Sequence, residues 1–318
     1  MNQVSVVIPN YNGMAFLEDC LDSLKDQTFT AFEIILVDNG SADGSVAFVR
    51  EHDPKVRILE LKKNHGFSKA VNLGIRAAKA PYVILLNNDV KADRNFVKEM
   101  YAGMRKYPDC FSCSAQLRNM YEPDRIDDAG DFYCALGWAF ARGKDKPVRN
   151  YQKPGRIFAS CAGAAIYRKE LLKTTGYFDE KHFAYLEDID LGYRARICGY
   201  ENRYLPDAVV YHAGSGTSGS RYNEFKVRLS SRNNVYMIYK NMPFFQLLLN
   251  APLLLTGFLV KYLFFARKGF GTTYMKGLLE GIRMSLHGRK VPFHPKNLMN
   301  YLRIQLELWV NILRKVRD

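Results

Sequence analysis

Apolar positions along the first third of the chain alternate between two spacings. Val4 to Pro9 is a short apolar run of strand character, closed by the turn Asn10-Tyr11-Asn12-Gly13. Ala15 to Asp26 then has helical spacing, with Phe16, Leu17, Cys20, Leu21 and Leu24 on one face. Glu33 to Val37 is a second strand that stops at Asp38-Asn39-Gly40-Ser41, and Asp43 to Arg50 reads as helix. Val56 to Leu61 is a third strand, Asn64-His65-Gly66-Phe67 a turn, and Ser68 to Ala78 a helix. Tyr82 to Leu86 reads as a buried strand ending in Asn87-Asn88-Asp89, and Asp93 to Tyr107 as a helix. Strand, turn and helix alternate at βαβ spacing. The pattern predicts an α/β fold with a mostly parallel, Rossmann-like central sheet flanked by helices.

Beyond Asp109 the pattern loosens into short strands and loops up to Arg156. Phe158 to Tyr167 reads as a strand, Leu186 to Cys198 as a helix, and Tyr204 to His212 as a last strand. The character changes after Asn241. Pro243 to Val260 carries no charge, and the apolar run resumes from Tyr262 to Phe265. That length reaches the threshold for a membrane span. Pro243, Gln246, Asn250, Pro252 and Gly257 argue against a span. Asn297 to Val316 is amphipathic. Residues 1–241 are therefore expected to form one α/β domain and 242–318 a basic, amphipathic helical region. Helices lying in a membrane interface are the favoured reading. A buried core, a homodimer surface through these helices and a true span are the alternatives.

Composition supports this division. The chain has 318 residues, 47% hydrophobic and 25% charged, as expected of a folded globular protein. From Asn241 onward, twelve Lys/Arg face three Asp/Glu, so this tail holds +9 of the chain's net +14. A basic, apolar tail suits an anionic membrane surface, and nucleic acid is not expected as a partner. Six cysteines are scattered and no basic-then-apolar leader opens the chain, which points to reduced thiols in the cytoplasm. Cys110 and Cys113 lack the second pair a structural zinc would need and read as buried thiols.

Four strand-end clusters would converge on one edge of a parallel sheet. They are Pro9-Asn10-Tyr11-Asn12, Asp38, Asn64 to Phe67 with Lys69 and Asn72 behind it, and Asn87-Asn88-Asp89. Each alone is compatible with turn or N-cap chemistry. Together they mark the edge where open α/β sheets bind ligands. Asp89 closes a buried strand, where a hard cation on a diphosphate would need oxygen ligands. Tyr11 could stack a base, and Asp38 could accept a base N–H. Glu187, Asp188 and Asp190 place more acid at one helix start than capping requires, so at least one is a candidate general base. His212 ends the last strand, as a structural residue or a metal ligand. Gly214 to Gly219 matches a dinucleotide fingerprint, but no second strand with a terminal acid follows at the required spacing. A loop closing over a diphosphate, with Arg221 as counter-charge, fits better.

The segments Val6 to Asn12, Val37 to Ser45, Asn64 to Phe67, Leu85 to Asp89, Gly176 to Glu180 and Glu187 to Leu191 resemble the family 2 glycosyltransferases of the GT-A fold. The resemblance is strongest to rhamnosyltransferase-like members and runs from about Val4 to Asn241. It implies a GT-A domain with a C-terminal helical extension. It also implies inverting transfer of a sugar from a nucleotide-diphosphate donor to a glycan or lipid-linked acceptor, with Mg²⁺ or Mn²⁺ as cofactor. By the same resemblance, Asp38 would contact the base. Pro9, Tyr11, Asn12, Asn64, Gly66, Phe67, Asn72, Asn87, Asn88 and Arg221 would line the donor site. Asp89 would end the DXD-type metal motif, His212 would be a further metal ligand, and Asp188 the base, with Glu187 beside it. The chain departs at Asn87, where many members carry an acid, which implies a more weakly held metal. Tyr133, Trp138 and the stretch from Asp127 to Arg149 are candidate acceptor contacts. The expected location is the cytoplasmic face of the plasma membrane, peripherally bound. Two rivals remain: an NAD(P) oxidoreductase using Gly214 to Gly219, and a non-catalytic membrane scaffold that binds a nucleotide sugar.

Overall fold

The computed structural model describes residues 2–214 and 222–317. The chain opens with β1 (Val4–Asn10), α1 (Met14–Lys25), β2 (Phe32–Asp38), α2 (Ser45–His52), β3 (Arg57–Glu60), α3 (Phe67–Ala77) and β4 (Tyr82–Leu86). The four strands pair in parallel in the order β3-β2-β1-β4. β1 and β4 are apolar almost throughout because both of their faces are covered. The strand order reverses at β1, and a crevice opens there at the carboxyl ends.

The second half of the sheet is mixed. β5 (Val90–Ala92), α4 (Phe96–Lys106) and β6 (Cys110–Asn119) are followed by four short strands: β7 (Ile126–Asp128), β8 (Asp131–Cys134), β9 (Trp138–Ala141) and β10 (Gly155–Ile157). Then come β11 (Ala164–Arg168), α5 (Leu172–Thr175), α6 (Glu187–Ile197) and β12 (Glu201–His212). β11 runs antiparallel to both β4 and β6, while β12 runs parallel to β6. The strand expected from Phe158 starts only at Ala164. Before it, Phe158 N and Ala159 N both donate to Asp131 O, and Asn202 Nδ2 claims Phe158 O, so this backbone bonds outside any ladder. No strand follows β12 among the described residues, which removes the second βαβ unit a dinucleotide site would need. Ser215 to Gly219 of that fingerprint, and Arg221, lie outside the described residues.

Four helices complete the chain: α7 (Glu224–Asn241), α8 (Phe244–Arg267), α9 (Gly271–Leu286) and α10 (Leu298–Arg317). The change of composition at Asn241 is not a gap in packing. One apolar cluster joins Tyr133, Phe158 and Tyr193 to Met237, Met242, Leu254, Tyr301 and Leu308. Tyr133 and Trp138 are part of this joint, not acceptor contacts: Tyr133 OH donates to Asn234 Oδ1, and Trp138 Nε1 donates to Gly257 O.

α8 is long and apolar enough to cross a membrane, yet only 17% of its most apolar stretch is buried. Its buried stripe is Gln246, Asn250, Leu254 and Gly257. Tyr193 OH donates to Gln246 Oε1 at 3.0 Å, and Asn250 and Gln305 exchange two hydrogen bonds at 2.8 and 2.9 Å. The polar residues that weaken a membrane reading of the sequence therefore face the protein. Phe244, Phe245, Leu248, Leu255, Leu259 and Leu263 face outward.

Candidate active site

Asn10, the last residue of β1, is the hub of the sheet's carboxyl edge. Its Nδ2 donates to Asp38 Oδ1 and to Ser45 Oγ, both at 2.9 Å, and its Oδ1 accepts from Asn88 Nδ2 at 2.7 Å. Gly13 is required beside it, because a Cβ there would lie 1.8 Å from Asn88 Nδ2. Asp38 Oδ2 accepts from Gly40 N and Ser41 N at 3.2 and 3.0 Å. Asn12 clips the adjoining loop by accepting from Ala42 N at 2.9 Å. Asn64 Oδ1 accepts from Asn39 Nδ2 and Gly66 N at 3.0 and 2.8 Å. Three separate turns are thus fastened into one rim.

The rim surrounds a cavity of about 820 Å³. Pro9, Tyr11, Asn64, Gly66, Phe67, Asn87, Asn88, Asp89, Glu187, Asp188 and His212 all line it, so most of the sequence-predicted residues meet there. Neither Asn12 nor Asp38 lines it: Asp38 is buried and Asn12 exposed, both in the hydrogen bonds just given. Asn72 is displaced from its expected role. Its Nδ2 donates to Phe178 O at 2.8 Å and its Oδ1 accepts from Phe178 N at 3.1 Å. Both ends of the amide are spent on the loop after Gly176, not on a donor.

One wall carries Asp89 and His212. Val90 pairs with His212 across β5 and β12, and Ala213 N donates to Asp89 O at 3.0 Å. This register places His212 Nε2 3.4 Å from Asp89 Oδ1. Asp127 holds the other ring nitrogen, Nδ1, at 2.8 Å and is itself paired with Lys144. Asp89 Oδ1 is buried with no hydrogen-bond partner. An orphaned carboxylate oxygen beside an imidazole nitrogen, with a second carboxylate orienting the ring, fits a divalent cation. Burial opposes charge on His212, yet Asp127 and Asp89 hold its pKa up at about 10, so a cation bound at Nε2 would have to displace a proton. A second group, Asp179, His182 and Asp190, also has ligand spacing. There the Lys240 ammonium already bridges Asp179 and Asp190 at 2.7 and 2.8 Å.

Glu187 and Asp188, at the start of α6, also line the cavity, and the three acids of that helix start differ in environment. Asp188 is half-buried, accepts from Ile189 N at 2.8 Å and faces the cavity. Burial raises its pKa, against the pull of the Ile189 and Ala162 amides. Burial, then the Asp188 charge, raises Glu187 well above the carboxylate range, and Glu187 Oε2 has no partner. Asp190 is fully buried and accepts from Arg194, Lys240 and Asn241. Burial works against its charge, but Arg194 and Lys240 hold its pKa well below the usual range. Asp190 is structural, and the surplus acid at this helix start is Glu187 with Asp188.

The backbone entering α6 is strained. Phe183 has φ 64° and ψ −65°, and Ala184 N donates to His182 O at 2.8 Å, the rare γ-turn of positive φ. Tyr185 and Leu186 follow at φ 71° and 65°. Each such residue costs on the order of 1–3 kcal/mol. Phe183 packs on Gly66 (φ 88°), where a Cβ would lie 2.6 Å from the Phe183 ring and its carbonyl oxygen.

The model of the family described as Glycosyl transferase family 2 matches residues 5–176, more than half of the chain. The chain belongs to that family. Its members transfer glycosyl groups, and the chain is a glycosyltransferase. A similar curated protein is the N-acetylglucosaminyl-diphospho-decaprenol L-rhamnosyltransferase of Mycobacterium tuberculosis, 28% identical over 239 residues, covering 67% of this chain and 77% of that one. Among solved structures, residues 1–349 of S. aureus TarS in complex with UDP-GlcNAc align with TM-score 0.60 at 18% identity. That match covers 90% of this chain and 81% of the other. GalNAc-T7 with UDP, GalNAc and Mn²⁺ aligns with TM-score 0.60 at 17% identity, over 75% of this chain and 48% of its own. These two establish the GT-A architecture.

Several cavity residues carry no signal in the sequence. Phe183, Tyr185 and Phe225 form an aromatic corner, with ring centroids 6.3 and 6.2 Å from Phe225. Asp127 reaches His212 only through the β6–β7 and β6–β12 pairings, which no local pattern announces.

Proposed function

We propose that this glycosyltransferase inverts the anomeric centre as it moves a sugar from a nucleoside-diphosphate donor to a hydroxyl of a lipid-linked glycan. One observation carries the reading. A single cavity is lined by the Asp89–His212 pair and by the half-buried Asp188. The donor's base lies against Tyr11, within the rim that Asn10, Asp38 and Asn64 fasten. The diphosphate lies toward Asp89 and His212. These two residues, with the donor phosphates, would hold Mg²⁺ or Mn²⁺, and the ion supplies charge to offset the departing diphosphate. Asn87 adds no negative charge, so the ion is held weakly without a donor. Asp188 takes the proton from the acceptor hydroxyl as that oxygen attacks the anomeric carbon. The C1–O bond to the diphosphate breaks on the opposite face, and the nucleoside diphosphate leaves with its electron pair. A carboxylate whose pKa is raised by burial is a stronger base for that step.

The outward faces of α8, α9 and α10 support a membrane address. Leu255, Leu259, Leu279, Leu286, Leu306 and Leu313 are all exposed on them. Exposed apolar side chains on a strongly basic segment suit an anionic bilayer. All six cysteines are free, in keeping with a cytoplasmic face. The deciding experiment is a panel of UDP-, dTDP- and GDP-sugars with and without Mn²⁺, read by thermal shift and by donor hydrolysis. One nucleotide class should stabilise the protein, and more strongly with metal. NAD(P) binding that survives chelation, with no response to any nucleotide sugar, would refute the reading.

A further inference from the structure

Asn233 lies fully buried on α7, outside the cavity lining. Its Nδ2 donates to three carbonyl oxygens of the strained turn: His182 at 2.9 Å, Ala184 at 2.8 Å and Tyr185 at 2.8 Å. Arg232 Nε donates to Asn233 Oδ1 at 2.9 Å, which fixes which end of the amide faces the turn. Arg232 Nη2 adds a bond to His182 O at 2.8 Å, and Ser68 N takes Phe183 O at 3.2 Å. Every carbonyl from His182 to Tyr185 is therefore claimed from outside the turn.

Three positive-φ residues in a run of four persist only where the surroundings over-determine them. The sheet does not need this turn, since a relaxed loop could join the same elements. What the turn fixes is the entry angle of α6, and with it the placement of Glu187 and Asp188. An asparagine suits the post because its NH₂ is short and donates twice, with one proton shared between carbonyls. Aspartate has the same shape and no donor.

We infer that Asn233 is a positioning residue that sets where Asp188 stands in the cavity, by pinning the strained turn from behind. The inference rests on the role proposed above for Asp188.

The test compares Asn233→Asp with Asn311→Ala. Asn311 is an equally buried amide on α10 that donates to Tyr133 O. In N233D, transfer kcat is expected to fall about 100-fold, the scale of a displaced reacting group. Donor KM should stay within about threefold, and the slow hydrolysis of donor by water should persist. N311A should lose thermal stability with unchanged kcat. Amide hydrogen exchange across residues 184–189 should accelerate in N233D only. If N233D does not fold, Asn233→Ser removes the amide without adding charge and carries the same expectations. A folded variant with near-normal transfer overturns the inference. So does a donor KM that rises in step with the loss of kcat, or unchanged exchange in the turn. If the wild-type protein transfers from no nucleotide sugar, the proposed function fails instead. The exchange measurement then still decides whether Asn233 holds the turn.

Discussion

The sheet and the C-terminal helices solve opposite problems. In β1 and β4 the apolar residues point alternately into two cores, one on each face of the sheet, and polar residues gather where the strands end. In α8 and α10 buried amides point inward beside Leu254, Ile304 and Leu308: Gln246 to Tyr193, Asn250 to Gln305, and Asn311 to Tyr133 O. Many large apolar residues point out, Phe245 at 81% exposure and Val316 at 82%. Burial in the sheet is non-directional and drives folding. The amide pairs of the helices contribute little net energy but fix register, because a buried amide left unpaired costs about 1–3 kcal/mol. The helices thus dock through amide pairs set in an apolar seam of Leu254, Tyr301, Ile304 and Leu308, and leave further apolar surface exposed. On the function proposed above, chemistry and membrane address belong to separate regions of one packed body.

The largest effect should come from Asp188→Asn. Loss of a general base costs on the order of 10²–10⁴ in rate. Transfer should fall by that factor while calorimetric donor binding and vesicle binding stay near wild type. Loss of vesicle binding in this variant would break the separation between the two regions. Next in size is Asp190→Ala, two positions along the same helix. It leaves the buried Arg194 charge without its carboxylate and Lys240 with Asp179 alone. Breaking such a pair costs about 3–5 kcal/mol. The melting temperature should drop by many degrees, where Asp188→Asn leaves it nearly unchanged.

The same buried network gives stability a pH dependence. Burial holds His182 down to about 4. In the unfolded chain a histidine titrates at about 6.5. Between these values the unfolded state binds a proton that the folded state refuses, so the contribution of His182 to stability falls as pH drops through the window. Melting curves of wild type and His182→Leu from pH 7.5 to 4.5 should differ by this slope. An unchanged slope in that variant would place the titrating group elsewhere.

The sheet-edge half of the site was legible in the sequence because each cluster sits at the end of its own strand, where apolar runs give way to polar turns. Asp89, Asn64 and the Asp188 helix could be read that way. What stayed hidden depends on pairings between distant strands. β5 is too short to register as a strand, yet it carries His212 to Asp89. Asn72 looked like a donor contact because it follows the Asn64 turn by two helical turns; the loop at Phe178 that consumes it lies more than a hundred residues on. The strained turn at Phe183 to Leu186 had no local signal, since the residues that hold it, Asn233, Arg232, Ser68 and Gly66, are distant in sequence. In the tail, the sequence showed apolar length but not which way it faced.

That last ambiguity gives the smallest and most discriminating pair of substitutions, both on α8. Leu255 is 70% exposed, and Asn250 is fully buried. By the ordinary rule for soluble helices, Leu255→Gln would remove a misplaced apolar group and Asn250→Leu would be tolerated in the interior. The inverted polarity reverses both expectations. Asn250→Leu orphans the Gln305 amide and should cost about 1–3 kcal/mol. Leu255→Gln should leave stability within about 0.5 kcal/mol in lipid-free buffer, as for most surface changes. Combined with Leu259→Gln and Leu263→Gln, it should weaken binding to anionic vesicles, since each buried leucine contributes roughly 1.5–3 kcal/mol. Flotation and thermal denaturation measured on the same four proteins separate the two faces. A triple variant that floats like wild type but no longer self-associates would assign the apolar face to a second copy of the chain. One that melts far below wild type in lipid-free buffer would show that those leucines belong to the fold.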